Sequence, residues 1–329
     1  MNRKGLVGRR VLGVVLAIAA VLAMAYGVWY VGHDASEKKD ADDEVSDVAQ
    51  EVVQEVVQEP AKDDAERFGI DENLLRRIDF NSLIAKNADA TRWMYVPGTK
   101  IDAPVMQERT VNQYFYNLKG LDKTYNGCGA FLVPAEPKNE DGSLPDDARL
   151  LILGHRMNNY NGEWQFSNLP TRWGTVQGAS DYPYVYIYYP DHSERWRVWA
   201  GLDAWESDEI YDIPYELGSD KYGEMIQHVA ANARYRVGDT PDKNTRILMM
   251  STCNRPNGGA LMRFVLVSVP DAAYYYDSGT YVDKDDERAY NAWAKAVDAT
   301  RKAQIDAVST SGSVSDDKSG NESGDASEN

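Results

Sequence analysis

The chain has 329 residues, 43% of them hydrophobic, enough for one large domain or two small ones with a real core. A formal net charge of −17 argues against nucleic acid as a partner. Much of that acidity lies outside the expected core: residues 34–66 carry about ten net negative charges, and the tail after Val308 about four more. The acidity therefore describes solvated extensions and says little about a site.

Residues 1–10 are basic (Arg3, Lys4, Arg9, Arg10) and precede an uncharged apolar stretch, 11–31, of about the length needed to span a bilayer. Tyr26, Trp29 and Tyr30 cluster at its far end, where amphipathic rings favour the membrane interface. The basic side predicts a cytoplasmic N-terminus, a single transmembrane helix over 11–31 and an extracellular remainder. Ala23 and Ala25 could mimic a signal-peptide cleavage site, but the apolar stretch is long for that role. Residues 32–70 read as an acidic stalk or linker. Within it Val45, Val48, Val52 and Val56 recur at spacings of three and four, consistent with a one-stripe helix ended by Pro60 or with a flexible spacer.

The folded domain is expected over 71–283. Leu74, Leu75, Ile78, Leu83 and Ile84 read as short helices packed on it. From Trp93 onward the pattern turns to short β-segments bounded by turn residues: Trp93 to Val96, Ile101 to Met106, Gly129 to Val133, Leu150 to Leu153, Tyr182 to Tyr189, Arg195 to Leu202, Ile247 to Thr252 and Leu261 to Val269. Eight strands at this spacing predict a mainly β fold, a closed or nearly closed barrel with peripheral helices. Tyr222, Met225, Ile226 and Val229 mark a helix between Ser219 and Tyr235, ahead of the last strand pair. A C-terminal helix is expected over 284–308, and 309–329, rich in Ser, Gly, Asp and Asn, is expected to be disordered.

The chain has two cysteines and four histidines, so few combinations could perform nucleophilic chemistry. Cys253 ends an apolar strand, His155 follows another, and Arg263 lies inside a third. A thiolate is nucleophilic, and a nearby cation increases its population. An imidazole can protonate a leaving amine and then accept a proton from an incoming one. A guanidinium cannot serve as a base, but it can stabilise an oxyanion by roughly 3 kcal/mol per donor. If the strands bearing Cys253 and Arg263 form a hairpin, the arginine can reach the thiol diagonally. Together the three supply the parts for acyl transfer through a thioester. Taken singly, each has a plainer reading as a packing or structural residue, although a charge inside an apolar strand needs a partner. His33, His192 and His228 read as structural, and Arg255 as a solvent-exposed competitor of Arg263. Cys128, between two glycines, reads as a buried packing thiol rather than the partner of Cys253 in a disulfide.

The order of these residues resembles the sortases, surface transpeptidases of Gram-positive bacteria. Several segments resemble class B in particular: Ile78-Asp79-Phe80, Trp93 to Thr99, Ile101 to Gln107, Gly154 to Met157, Ser251-Thr252-Cys253 and Arg263, together with the helix before the cysteine strand. The resemblance covers about 71–269 and omits the stalk and the C-terminal extension. It implies that Cys253, His155 and Arg263 are catalytic and that Ser251 and Thr252 help shape the substrate groove. It further implies cleavage of a C-terminal sorting signal after Thr, and transfer of the secreted protein to a peptidoglycan-precursor amine or a pilin lysine. No cofactor or metal is implied. An insertion over 140–147 departs from the family pattern, and its carboxylates lack the spacing of an EF-hand calcium loop.

Two rivals remain. L,D-transpeptidases also place a cysteine near His and Arg, but a glycine would precede that cysteine and a histidine would stand two residues before it, where this chain has Thr252 and Ser251. A papain-like protease fits less well, because its nucleophile opens a helix and precedes its histidine. The non-enzymatic alternative is a membrane-tethered scaffold with an inert thiol.

Overall fold

The computed structural model describes residues 39–54, 70–137, 148–156, 165–212, 214–254 and 261–283, together with Tyr26, His33 and Ser36. The strands among them are β1 (Val53–Gln54), β2 (Arg77–Ile78), β3 (Ala90–Tyr95), β4 (Asp102–Gln107), β5 (Phe131–Val133), β6 (Arg149–Leu153), β7 (Tyr184–Tyr188), β8 (His192–Trp205), β9 (Ala233–Arg236), β10 (Ile247–Cys253), β11 (Met262–Tyr275) and β12 (Thr280–Asp283). The sheet runs β11-β10-β6-β5-β4-β3-β7-β8, and pairing of β8 with β11 closes it into an eight-stranded mixed barrel. Closure leaves no open sheet edge along that ring. Strands β9 and β12 extend it at β8 and β11.

Alternation along the strands sorts side chains between the barrel interior and its coat. On β7, Val185 and Ile187 point into the central core with Met94, Leu150, Ile152, Trp196, Leu248, Met250, Phe264 and Leu266. Tyr186 and Tyr188 point outward, onto a second cluster containing Leu74, Leu75, Phe80, Leu83 and Trp93. Strands β6 and β10 are apolar on both faces because a parallel pair is covered on both sides. Their outer residues Leu151, Ile247 and Met249 lie under the helix Asp220–Asn232. That helix starts where Ser219 Oγ caps the Tyr222 amide (3.1 Å), and it buries Tyr222, Met225, Ile226 and Val229.

All eight expected strands are barrel strands. The expected short helices occur as Glu72–Leu75 and Phe80–Lys86, although Ile78 lies on β2 and Ile84 is exposed. Strand β11 runs beyond the expected Val269 to Tyr275, crossing register shifts between Val267 and Ser268 and between Pro270 and Ala272. A proline lacks the ladder donor, so it is tolerated there only at the irregularity. Residues 39–52 are helical, and Val48 and Val52 sit in the same cluster as Leu74 and Phe80, so this part of the expected stalk packs against the domain. The expected C-terminal helix, the tail and the 140–147 insertion lie outside the described residues. So does the apolar stretch 11–31, apart from Tyr26. Among the described residues no helix is long and apolar enough to cross a membrane.

Candidate active site

Because β6 and β10 are parallel neighbours, their C-terminal ends emerge at the same rim of the barrel. Leu153 pairs with Ser251, and the Gly154 amide continues the ladder by donating to the Ser251 carbonyl at 3.1 Å. His155 and Cys253 follow two residues after that pair on their two chains, and both line one cavity. Gly154 allows this path: a Cβ there would come within 2.6 Å of the Phe166 ring and 2.9 Å of the Phe131 ring.

Strand β11 returns antiparallel to β10 and places Arg263 directly opposite Cys253. The expectation of a diagonal reach is corrected: direct cross-strand neighbours are closer, and the Arg263 Nη1 donates to the Cys253 sulfur. Arg263 Nη2 donates to Glu206, the first residue after β8. The sequence signalled that a charge in an apolar strand needs a partner, but Glu206 is distant in sequence and carried no signal of its own. Burial pulls the Arg263 pKa down from its usual range, opposed by Tyr114, and a guanidinium remains charged throughout the working pH range.

His155 is half-buried, and its Nε2 lies 2.6 Å from the Asn117 carbonyl oxygen. A carbonyl can only accept, so Nε2 carries the proton and Nδ1 is the basic nitrogen of the neutral ring. Burial is the main cause that pushes the imidazole pKa below 6.5, and the charge of Arg263 acts in the same direction, against the Asn117 bond. The backbone amide of His155 donates to Gln165 Oε1 (2.7 Å), whose amide donates to the carbonyl oxygens of Gly129 (2.9 Å) and Cys128 (3.2 Å). The histidine loop is thus tied to the start of β5.

These side chains line one cavity of about 380 Å³, whose walls also include Tyr114, Asn117, Leu153, Glu206, Tyr211 and Ser251. Tyr211 comes from a short 3-10 turn, Glu209–Tyr211, whose Ile210 carbonyl accepts from buried Arg149 on β6. Its hydroxyl meets Ser251 Oγ at 2.8 Å, and burial pushes its pKa up, so it stays a neutral phenol.

Of the two residues expected to shape a substrate groove, only Ser251 faces the cavity. Strand alternation turns the Thr252 side chain to the opposite face, where its buried hydroxyl finds no hydrogen-bond partner among the described residues. Next along the chain, Asn254 bonds Asp203 and accepts from Arg156 at 3.3 Å, pinning the exit of β10.

Cys128 is buried beside Ala41, and the two cysteines are not joined in a disulfide. His192 and His228 lie away from the cavity: His192 is buried at the start of β8, and His228 pairs with Asp208 (3.0 Å) and Glu209 (3.0 Å). Arg255 lies outside the described residues. Among the described residues no cluster of His, Cys, Asp and Glu is arranged to hold a metal ion.

No family model matches the sequence, and no curated protein does. Solved structures do match the fold. A mutant form of Clostridium perfringens sortase B aligns with a TM-score of 0.51 and 21% identity, over 65% of this chain and 92% of that one. Staphylococcus aureus sortase B aligns with a TM-score of 0.50 and 16% identity, over 59% of this chain and 86% of that one. The closed mixed barrel, with its peripheral helices, is a sortase-like fold.

Proposed function

We propose that this chain is a sortase-type cysteine transpeptidase of the class B kind. The observation that carries the reading is the contact of the Arg263 guanidinium with the Cys253 sulfur, in a cavity that also holds His155. The neutral His155 ring takes the proton of the Cys253 thiol, and the thiolate so formed attacks the carbonyl of the Thr in a C-terminal sorting signal. Arg263 stabilises the resulting oxyanion, and such a donor contributes roughly 3 kcal/mol. The C–N bond breaks as His155 protonates the leaving amine, leaving the substrate as a thioester on the sulfur. An amine of a peptidoglycan precursor or a pilin lysine gives its proton to His155 and attacks the thioester, which releases the thiolate. Ser251 and Tyr211 shape the wall where the signal lies.

The apolar stretch 11–31 and its basic flank support a single-pass anchor with a cytoplasmic N-terminus and an extracellular catalytic domain. The experiment is to incubate the full chain with a panel of five-residue sorting peptides and a small amine acceptor. Cleavage after Thr, with amine-linked product that disappears in Cys253→Ala, is expected. Product that persists in that variant would refute the reading.

A further inference from the structure

The loop between β4 and β5 forms one wall of the cavity through Tyr114 and Asn117, yet its outer side is apolar and open. Val111, Phe115, Leu118 and Tyr125 are between 39% and 64% exposed, a concentration that few other parts of the described surface approach. Phe115 and Tyr125 are joined through Lys119, which pairs with Tyr125 across an isolated bridge and holds its ammonium 3.7 Å from the centre of the Phe115 ring. Lys123 is exposed in the same loop, its ammonium 3.8 Å from the buried Asp89 carboxylate. The neighbouring carboxylate of Asp122 is engaged by the amide (2.8 Å) and hydroxyl (2.7 Å) of Thr124. Aromatic rings with lysines among them, on a chain of net charge −17, form a surface suited to the headgroup region of a bilayer.

The N-terminal helix, residues 39–52, meets this same loop. Glu44 accepts from the Asp122 amide at 3.0 Å, and Ala41 packs on Cys128. Val31, the end of the apolar stretch, is eight residues from Lys39, at most about 28 Å of extended chain. The helix that follows the segment that reads as an anchor, within that reach, packs against the aromatic loop.

We propose that the Val111 to Tyr125 loop is a second membrane contact, in which Phe115, Leu118 and Tyr125 enter the lipid interface while Lys119 and Lys123 meet the headgroups. This rests on the reading of 11–31 as an anchor. Docking sets the mouth of the cavity at headgroup level and fixes the orientation of the barrel on its tether, where one apolar segment alone leaves it free to swing.

The test uses the full chain reconstituted in phosphatidylcholine–phosphatidylglycerol vesicles that carry a phospholipid with a photoactivatable diazirine near the acyl carbonyl. After illumination, lipid adducts are mapped by peptide mass spectrometry, which requires no turnover and so is independent of the catalytic reading. Adducts on peptides covering 111–125 as well as 11–31 are expected. The combined Phe115→Ser, Leu118→Ser and Tyr125→Ser variant should lose the former and keep the latter. The unsubstituted map decides even if that variant folds poorly. Adducts on 11–31 alone overturn the docking and leave the anchor standing, while adducts on neither overturn both. Lysine cross-links joining two copies through Lys119 or Lys123, with no lipid adducts on the loop, assign the patch to a second copy and overturn the proposal.

Discussion

Cys253 and Arg263 are directly opposed residues of the β10–β11 ladder, and the guanidinium donates to the sulfur. Strand pairing, rather than a mobile loop, fixes the separation of thiol and cation. Positioning that depends on rigid elements holds a site more tightly than positioning by loops.

Arg263→Ala should lower kcat/KM for peptide cleavage by about 10²–10³-fold, the range for loss of one oxyanion donor. Arg263→Lys should recover little of it. A single ammonium cannot reproduce the fork that meets both Cys253 and Glu206. Rates of Arg263→Lys near those of the unsubstituted chain would show that charge alone suffices.

Glu206→Gln keeps the shape of the side chain and removes its charge. Its partner pair is partly exposed, so the effect on stability should stay below about 1 kcal/mol. The rate should fall roughly tenfold through kcat as the guanidinium loses its second tether. Measured steady-state kinetics that show only a rise in KM would contradict a positioning role.

His155 should titrate below the ordinary 6.5, because burial and Arg263 both disfavour the imidazolium. The neutral ring is then the form present at pH 7. Removing the cation in Arg263→Ala should move the midpoint upward. NMR titration of the His155 ring resonances follows both, and a downward move in the variant would exclude electrostatic coupling between the two groups.

His192 behaves oppositely. Its ring is buried, stacks on Tyr189 at 4.5 Å and lies 2.8 Å from Asp191 and 3.4 Å from Glu194. Burial opposes the charge, but the two carboxylates outweigh it and push the pKa up to about 9. A raised folded-state pKa gives stability that is fully present below 6.5 and lost as pH rises through about 9. The contribution is at most roughly 3 kcal/mol. Urea unfolding from pH 6 to 10 should show this loss, and His192→Gln should flatten it.

Thr252→Val should leave turnover unchanged and hold or raise stability by about 1 kcal/mol, since the buried hydroxyl has no hydrogen-bond partner among the described residues. Ser251→Ala, which faces the cavity, should alter KM instead. A catalytic defect in Thr252→Val would place that side chain in the groove after all.

The eight barrel strands were legible because their apolar runs are short and bounded by Pro, Gly and Asp. Cys253 and His155 stood out because the chain has only two cysteines and four histidines, and Arg263 because a charge inside an apolar strand needs a partner. Continuation of β11 beyond Val269 through Pro270 and Asp271 was not legible, since a proline and an acidic residue break the pattern that marks a strand. The facing of Thr252 was not either: strand alternation says that it opposes Cys253, but only the closed sheet says which face is the cavity. Glu206 and Tyr211 reach the site from the connection after β8, and Asn117 from the one between β4 and β5; no local pattern marks such residues.

The central claim is that the Cys253 sulfur becomes acylated. Intact mass spectrometry of the full chain, mixed with a cleavable sorting peptide and quenched in acid, measures this directly. The account predicts an adduct equal in mass to the N-terminal acyl fragment, mapped to Cys253, released by hydroxylamine and absent from Cys253→Ala. Peptide cleavage without that adduct, or an adduct that survives in the alanine variant, would contradict it.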